Sequence, residues 1–114
     1  MIIRKADDAP GHQVDLEGAK GVTFRMLLGE SEGVPNFYMR QFDVAPGGRT
    51  PRHAHPWEHE CYILAGEGVL VTEAGDRPVR AGDCVFVAPE EVHRFQNAGP
   101  GVLKFLCLVP RASK

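Results

Sequence analysis

The sequence predicts an all-β fold, an antiparallel sandwich or barrel built from about eight short strands. Its 114 residues include 13 Gly and 9 Pro, which mark many turns in a short chain. Apolar segments recur at intervals of about ten residues, the spacing typical of all-β domains. No window carries the periodicity of an amphipathic helix. The length fits one domain over residues 1–114, with room for one modest core.

Turns rich in Gly, Pro and Asp separate the predicted strands. Residues 1–20 form a polar N-terminal arm with the first strand. The Ala74-Gly75-Asp76 segment predicts a hairpin turn, and Ala45-Pro46-Gly47-Gly48 predicts the end of a strand. Four phenylalanines are expected in the core, namely Phe24, Phe37, Phe86 and Phe95. The predicted strands are Val22–Leu28, Asn36–Val44, Glu60–Leu64, Val69–Thr72, Pro78–Arg80, Cys84–Val87, His93–Phe95 and Gly101–Val109.

Charge and composition exclude several classes of partner. The chain has 13 Lys and Arg against 15 Asp and Glu, a net charge of -2, so no basic surface for nucleic acid is expected. The longest apolar stretch, Val102–Val109, contains Lys104 and is too short to span a membrane. The N-terminus has no apolar signal region. Three well-separated cysteines, Cys61, Cys84 and Cys107, predict free thiols and a cytoplasmic location.

The histidines are the residues that indicate chemistry. His53 and His55 occupy alternate positions of an extended segment, so their side chains leave from the same face. His59 has the same parity, although Pro56-Trp57 bends the chain between them, and His93 joins only if its strand lies nearby. Scattered surface histidines are the alternative interpretation. Three histidines within seven residues favour a metal site, because imidazole is the commonest metal ligand.

Two segments resemble the two sequence motifs of the cupin family. Residues 47–66 carry the glycines and the His-x-His pair of the first motif, and residues 82–97 carry the glycine, histidine and asparagine of the second. The resemblance implies a double-stranded β-helix, or jelly-roll barrel, with a metal at its centre. The matching residues are Gly47, His53, His55, Gly66, Gly82, His93 and Asn97.

The chain departs from the family pattern at three places. His59 stands where the family usually has a glutamate ligand, and Ala88 and Glu90 replace a proline and a glycine of the second motif. Glu58 and Glu60 flank His59, which leaves open a slipped register with a glutamate ligand. The segments around residues 36–40, 53–60 and 105–110 resemble the small manganese cupins with a four-histidine centre.

That subgroup implies His53, His55, His59 and His93 as ligands of one divalent transition metal, with manganese expected by resemblance. Imidazole donors suit Fe, Zn, Cu or Ni, and the order of affinities alone favours Cu and Zn over manganese. Four neutral donors leave the ion's charge uncompensated, which favours an anionic ligand. Glu58, Glu60 and Asn97 are candidate acceptors for the second imidazole nitrogens.

The resemblance also implies that the last strand lines the metal cavity. Phe105 and Cys107 share one face of this strand, and simple packing is their alternative role. Arg40 either points inward toward an anion or lies solvated at an edge, and Trp57 is expected to form a wall or a dimer contact. His12 is expected to be unrelated to the site.

The resemblance favours a metal-dependent oxidoreductase of dioxygenase type that acts on a small organic substrate. A non-catalytic module that binds or senses a small ligand is the second hypothesis. Isomerase or lyase chemistry with the metal as Lewis acid ranks third, because no second catalytic base is visible. A homodimer is expected, because the strand edges and limited core of so short a chain invite pairing.

Overall fold

The computed structural model of the protein describes residues 1–113, and within them nine strands pair only in antiparallel fashion. Three short 3-10 turns lie at Ala6–Asp8, Glu30–Glu32 and Arg111–Ser113. No helical segment in this range is long and apolar enough to cross a membrane. The strands are β1 Gly11–Gln13, β2 Lys20–Leu28, β3 Phe37–Arg49, β4 His59–Ala65, β5 Glu67–Thr72, β6 Gly75–Arg80, β7 Cys84–Val87, β8 His93–Asn97 and β9 Leu103–Pro110.

The strands form a curled sheet in the order β6-β5-β8-β3-β9-β4-β7, with β2 pairing β3 and β1 pairing β2. This curled antiparallel sheet is the barrel-type, all-β architecture that the sequence predicts. The long strand β3 joins the two sides of the barrel, because it pairs with β9 from Phe37 to Val44 and reaches β8 through Arg49. The strands that carry the histidines therefore face one another across the interior.

Strand β3 is longer than expected, since it continues through the segment 45–48 that the sequence marks as a turn. The pairing of β2 with β3 is irregular between Lys20 and Val22. Gly48 lies so close to β2 that a Cβ atom there would stand 2.5 Å from the carbonyl oxygen of Lys20. The glycines therefore bend the strand and allow a close approach without ending it.

Another glycine fixes the turn that leaves β4. Gly66 has a φ of 86°, a left-handed conformation that side chains other than glycine rarely adopt. A Cβ atom at Gly66 would lie 2.4 Å from the carbonyl oxygen of Val102, just before β9. This turn sends the chain from β4 into β5 while keeping β9 tightly packed beside it.

The core lies between the two sides of the barrel and includes the fully buried Ile63 and Leu103. Four aromatic rings extend it into a ladder, with centroids 5.4, 5.3 and 4.2 Å apart along the series Phe24, Phe42, Phe105 and Phe95. The expectation that Phe37 and Phe86 are core residues was wrong. Phe86 is 63% exposed and Phe37 is 56% exposed, because both side chains point away from the barrel interior.

Candidate metal centre and its cavity

Backbone pairing brings the first histidine of the His-x-His segment to the histidine of β8. His53 donates its N–H to the carbonyl of His93 and accepts the N–H of His93 in return, at 3.2 and 3.0 Å. The two residues are therefore directly opposite each other, and opposed residues present their side chains on the same face. Thr50 extends this pairing, since its Oγ1 accepts the N–H of Phe95 at 2.9 Å.

Three imidazoles converge as a result. One ring nitrogen from each of His53, His55 and His93 lies within 4.8 Å of the others, so the three could hold a metal ion together. The ring centroids of His53 and His55 are 4.2 Å apart. His55 is held in place by Trp57, whose ring stacks on it at 4.6 Å with an angle of 5° between the planes. Trp57 thus forms a wall of the site.

His59 lies next to this group, at the start of β4. Its ring centroid is 5.2 Å from that of His55 and 5.1 Å from that of His93. Its Nε2 atom is buried and has no hydrogen-bond partner among the described residues. A buried polar atom without a partner is costly, and a metal ion held by the neighbouring imidazoles would satisfy it. The residues present therefore fit a metal ion.

The imidazoles are held in the neutral form that a metal requires. Burial, together with the nearby His55 and His93, lowers the pKa of His53 to about 4. Burial and the neighbouring His59 lower the pKa of His55 to about 4 as well. Burial also lowers the pKa of His93, against the opposing effect of its hydrogen bond to the Glu91 carbonyl. A neutral imidazole leaves a ring nitrogen free to coordinate.

The second nitrogens of two imidazoles have partners that the sequence did not suggest. Nδ1 of His93 lies 2.9 Å from the carbonyl oxygen of Glu91, and Nδ1 of His59 lies 3.2 Å from Sγ of Cys107. Asn97, a predicted acceptor for a second imidazole nitrogen, has other partners. Its side-chain amide donates to the carbonyls of Val44 and Gly101, so it ties β3 to the loop between β8 and β9.

The flanking carboxylates also lie away from the histidines. Glu58 and Glu60 are exposed at the surface and are absent from the lining of the cavity. Alternation along the chain explains this, because each is one residue away from His59 and projects from the opposite face. Within the described residues, His59 is therefore the side chain that β4 presents to the other three histidines.

The histidines lie at a cavity of about 360 Å³. All four line it, and the aromatic ladder forms most of its remaining wall, together with Val14, Leu16 and Val22. Among the described residues, no Asp, Glu, Lys or Tyr lines this cavity. The interior is therefore apolar apart from the imidazoles, Thr50, one guanidinium and two thiols.

The guanidinium belongs to Arg40, which points inward and lines the cavity beside Phe42. Its Nη2 lies 3.0 Å from Sγ of Cys107 and 3.3 Å from Nδ1 of His59. Its Nε is buried without a hydrogen-bond partner among the described residues. Within residues 1–113, no carboxylate forms a salt bridge with Arg40.

Two thiols, those of Cys61 and Cys107, line the cavity. The sequence analysis predicted Cys107 as a cavity residue but missed Cys61. Phe105 and Cys107 line the cavity from β9, and Cys61 faces them from β4. Cys61 and Cys107 are directly opposite each other in the β4–β9 pairing. The signal was present, since Cys61 follows His59 by two residues on the same strand and so shares its face.

The two thiols differ in how readily they ionise. The pKa of Cys107 is lowered by its hydrogen bond with Cys61, against the effect of burial, with further help from His59 and Arg40. The same contact with Cys107, together with burial, raises the pKa of Cys61. Of the two thiols, Cys107 is therefore the one that ionises more readily.

A comparison with protein families identifies the chain. The model of the cupin domain matches residues 40–109, which include all four histidines and every strand from β4 to β8. The chain belongs to the cupin family. One fold can carry many different functions, so the family alone does not specify what this cupin does. Individual relatives show which cupins it is similar to.

Three relatives resemble this cupin over nearly its whole length. The oxalate-binding protein of Thermotoga maritima is 31% identical over 112 residues, which cover 96% of this chain and 93% of that protein. The crystal structure of the polyketide cyclase RemF from Streptomyces resistomycificus superposes with a TM-score of 0.91 at 33% identity, covering 97% of this chain and 80% of that one. The structure of a predicted oxalate decarboxylase from Thermotoga maritima has a TM-score of 0.85 at 27% identity, covering 96% and 98% of the two chains.

Proposed function

We propose that this cupin is a metal-dependent enzyme that acts on a small organic anion with an apolar body. In this proposal His53, His55, His59 and His93 hold one divalent transition metal per chain. The convergence of three imidazoles and the unpartnered Nε2 of His59 support it. When bound, the ion supplies a Lewis acid and a redox-capable centre with open coordination positions.

Manganese remains the expected metal by resemblance, with Fe, Zn, Cu or Ni as alternatives. All-imidazole donors suit the later transition metals, and no other donor type near the site favours manganese over them. The four donors are neutral, so the full charge of the ion would remain inside the cavity. An anionic oxygen of a bound ligand would offset that charge.

The observation that carries the proposal is the absence of carboxylates from the lining formed by the described residues, combined with the inward guanidinium of Arg40. A positive charge in an apolar cavity is costly unless an anion accompanies it. Arg40 would bind and orient the anionic group of a substrate, because its Nε has no other partner. The oxalate-binding relative is consistent with a small anionic ligand.

The aromatic ladder would bind the apolar part of the substrate. Phe42, Phe105 and Phe95 present their rings to a cavity of about 360 Å³, within the range that takes small organic molecules. These rings also exclude water from the imidazoles. A lower local dielectric strengthens the attraction between the substrate's charge and Arg40.

Oxidation by dioxygen, of the dioxygenase type, is the reaction we propose first. General acid–base chemistry requires a titratable side chain within reach of the substrate. Apart from the histidines, which hold the metal in this proposal, and the buried thiols of Cys61 and Cys107, no such side chain of the described residues lines the cavity, so chemistry at the metal is the better fit. Metal-assisted cyclisation is the second candidate. The aromatic cavity and the likeness to the polyketide cyclase RemF favour it.

Product mass separates these reactions in one experiment. Tag-free protein loaded with manganese or iron is incubated with a β-diketone, a phenolic acid and a linear poly-β-ketone, and oxygen uptake is followed. Oxygen consumption with products whose combined mass exceeds that of the substrate by two oxygen atoms supports the dioxygenase proposal. Loss of water without oxygen uptake supports cyclisation. Tight binding with no product from any of them would contradict both and support a non-catalytic binding module.

Replacing Arg40 by methionine tests the anion contact. We expect Arg40→Met to weaken binding of a carboxylate probe such as oxalate or benzoate by about 10- to 100-fold, the usual effect of losing a charged hydrogen bond. Calorimetry on metal-loaded protein measures it, with metal content as a check on the histidines. Arg52→Met is the matched control, because Arg52 is exposed beside His53 and outside the cavity. Equal losses in both variants would contradict a specific role for Arg40.

The proposal also includes a cytoplasmic homodimer. Cys61, Cys84 and Cys107 are all free, as expected where thiols stay reduced. The outer face of β4, β7 and β9 presents apolar side chains, among them Tyr62 at 47% and Phe86 at 63% exposure. Exposed apolar surface of this kind supports pairing with a second copy of the chain.

A further inference from the structure

Cys61 and Cys107 form a pair of thiols for which the proposed reaction has no use. They are directly opposite each other on β4 and β9, and both side chains face the cavity. Their exposed fractions are only 5% and 3%, and the metal cavity is the pocket that both of them line. The third thiol, Cys84, is exposed on the outer surface and separate from them.

The placement of this pair suits a disulfide bond. Directly opposed residues of antiparallel strands have Cα atoms about 4.5 or 5.5 Å apart. Disulfides join Cα atoms separated by roughly 4.4–6.8 Å. The bond could therefore close by rotation of the two side chains, without displacement of β4 or β9.

The surroundings of Cys107 distinguish it from Cys61. Nη2 of Arg40 donates to Sγ of Cys107 at 3.0 Å, and Nδ1 of His59 lies 3.2 Å from the same sulfur. These two contacts fix the position of the Cys107 sulfur, so that Cys107 is the thiol held in place for attack on a peroxide. Cys61 stands beside it as the thiol that can resolve an oxidised intermediate.

We propose that Cys61 and Cys107 form a dithiol site that small hydroperoxides entering the metal cavity oxidise to a disulfide. Cys107 attacks the O–O bond, so that its sulfur becomes a sulfenic acid and the peroxide leaves as an alcohol or water. Cys61 then attacks this sulfur, a disulfide forms, and the hydroxyl leaves as water with the second thiol's proton. Two electrons pass from the two thiols to one peroxide, so the step balances without another reactant.

The bond would also change the surroundings of His59. A disulfide sulfur has no S–H and is a poor hydrogen-bond acceptor, so the contact between Cys107 and Nδ1 of His59 would be lost or weakened. Loss of the partner of a metal-bound imidazole typically lowers metal affinity by 10- to 100-fold. This consequence rests on the proposed metal centre, whereas the formation of the disulfide does not.

Intact mass and peptide mapping of metal-free, folded protein test the dithiol site. Trypsin places the three cysteines on separate peptides, namely residues 53–80, 81–94 and 105–111. After treatment with hydrogen peroxide, we expect the protein to lose the mass of two hydrogen atoms and peptides 53–80 and 105–111 to become linked. Cys84→Ser should behave in the same way. Cys61→Ser should stop at a sulfenic acid on Cys107 that dimedone captures.

Several outcomes would overturn the proposal. These are unlinked peptides in folded wild-type protein, a link made through Cys84, or a link that forms equally fast in urea-unfolded protein. The wild-type and Cys84→Ser results decide the matter even if a buried variant fails to fold. Zinc affinity before and after oxidation is the second measurement, with an expected loss of about tenfold that a thiol reductant restores. Protein that links its thiols yet never binds metal would contradict the metal centre alone.

Discussion

His59 lies between the other imidazoles of the site and the polar groups of Arg40 and Cys107. Its Nε2 is buried and unpartnered among the described residues, while its Nδ1 lies near Cys107 and Arg40. The two nitrogens therefore have different surroundings, one suited to a metal and one occupied by the protein. This difference supports histidine as the fourth ligand in place of the usual glutamate.

The low pKa values of His53 and His55 predict how the metal-free protein responds to acid. The folded state holds both near 4, against 6.5 in the unfolded chain, so between these values the unfolded state binds more protons. The free energy of unfolding should therefore fall as the pH drops from about 6.5 to about 4. Urea denaturation across this range should show a smaller fall for His53→Gln with His55→Gln. His12→Gln, on exposed β1, is the control, and parallel curves for all three proteins would contradict the prediction.

At the scale of elements, the turn between β7 and β8 holds the His-x-His segment in place. The N–H of Glu90 donates to the carbonyl of His55 at 2.6 Å. Glu90 has a φ of 67°, the one positive φ among non-glycine residues of the described chain. Its position is the one where the cupin motif usually has glycine, so the turn keeps its shape here at the cost of backbone strain.

Replacing Glu90 by glycine should therefore stabilise the protein. Relief of the left-handed conformation contributes about 1–2 kcal/mol, and the added freedom of the unfolded chain removes about 0.4–1 kcal/mol. We expect a net gain between about 0 and 1.6 kcal/mol in the free energy of unfolding, measured by urea denaturation. The neighbouring Glu91→Gly should lower stability instead, because the Glu91 side chain accepts the N–H of Ala88. A Glu90→Gly variant less stable than wild type would show that this strain is absent.

Local patterns predicted the strands and the histidines, but not the contacts that depend on register. From the sequence, the resemblance to the four-histidine cupins favoured His59 over Glu58 and Glu60, and in the structure both glutamates are exposed outside the cavity. The pairing of Cys61 with Cys107 depends on how β4 and β9 align, which no local pattern specifies. The length of β3 was underestimated because a Gly-Gly pair marks a bulge as readily as a turn. Phe86 was misplaced because a short apolar run does not reveal which face is buried.

At the scale of the whole molecule, the barrel has an interior face for chemistry and an outer face that is unusually apolar. Along β4, buried Cys61 and Ile63 alternate with exposed Tyr62 and Leu64. In a small domain both faces of this sheet therefore carry apolar side chains. A second copy of the chain would cover the outer one.

Phe86→Arg should convert the proposed homodimer to a monomer, because a charge would be placed on the exposed apolar face of β7. Light scattering at micromolar concentration measures the mass of each form. Val102→Arg is the control, since Val102 is exposed at a turn rather than on this face. A wild-type protein that is monomeric, or a Phe86→Arg protein that remains dimeric, would show that this face does not pair.

The metal content of tag-free protein tests the central claim most directly. Elemental analysis of wild-type protein should find about one divalent transition metal per chain. It should find little in the variant with both His53→Ala and His55→Ala, and His12→Ala should keep the wild-type content. No metal in wild-type protein loaded with an excess of manganese, iron or zinc, or an unchanged content in the double variant, would contradict the account.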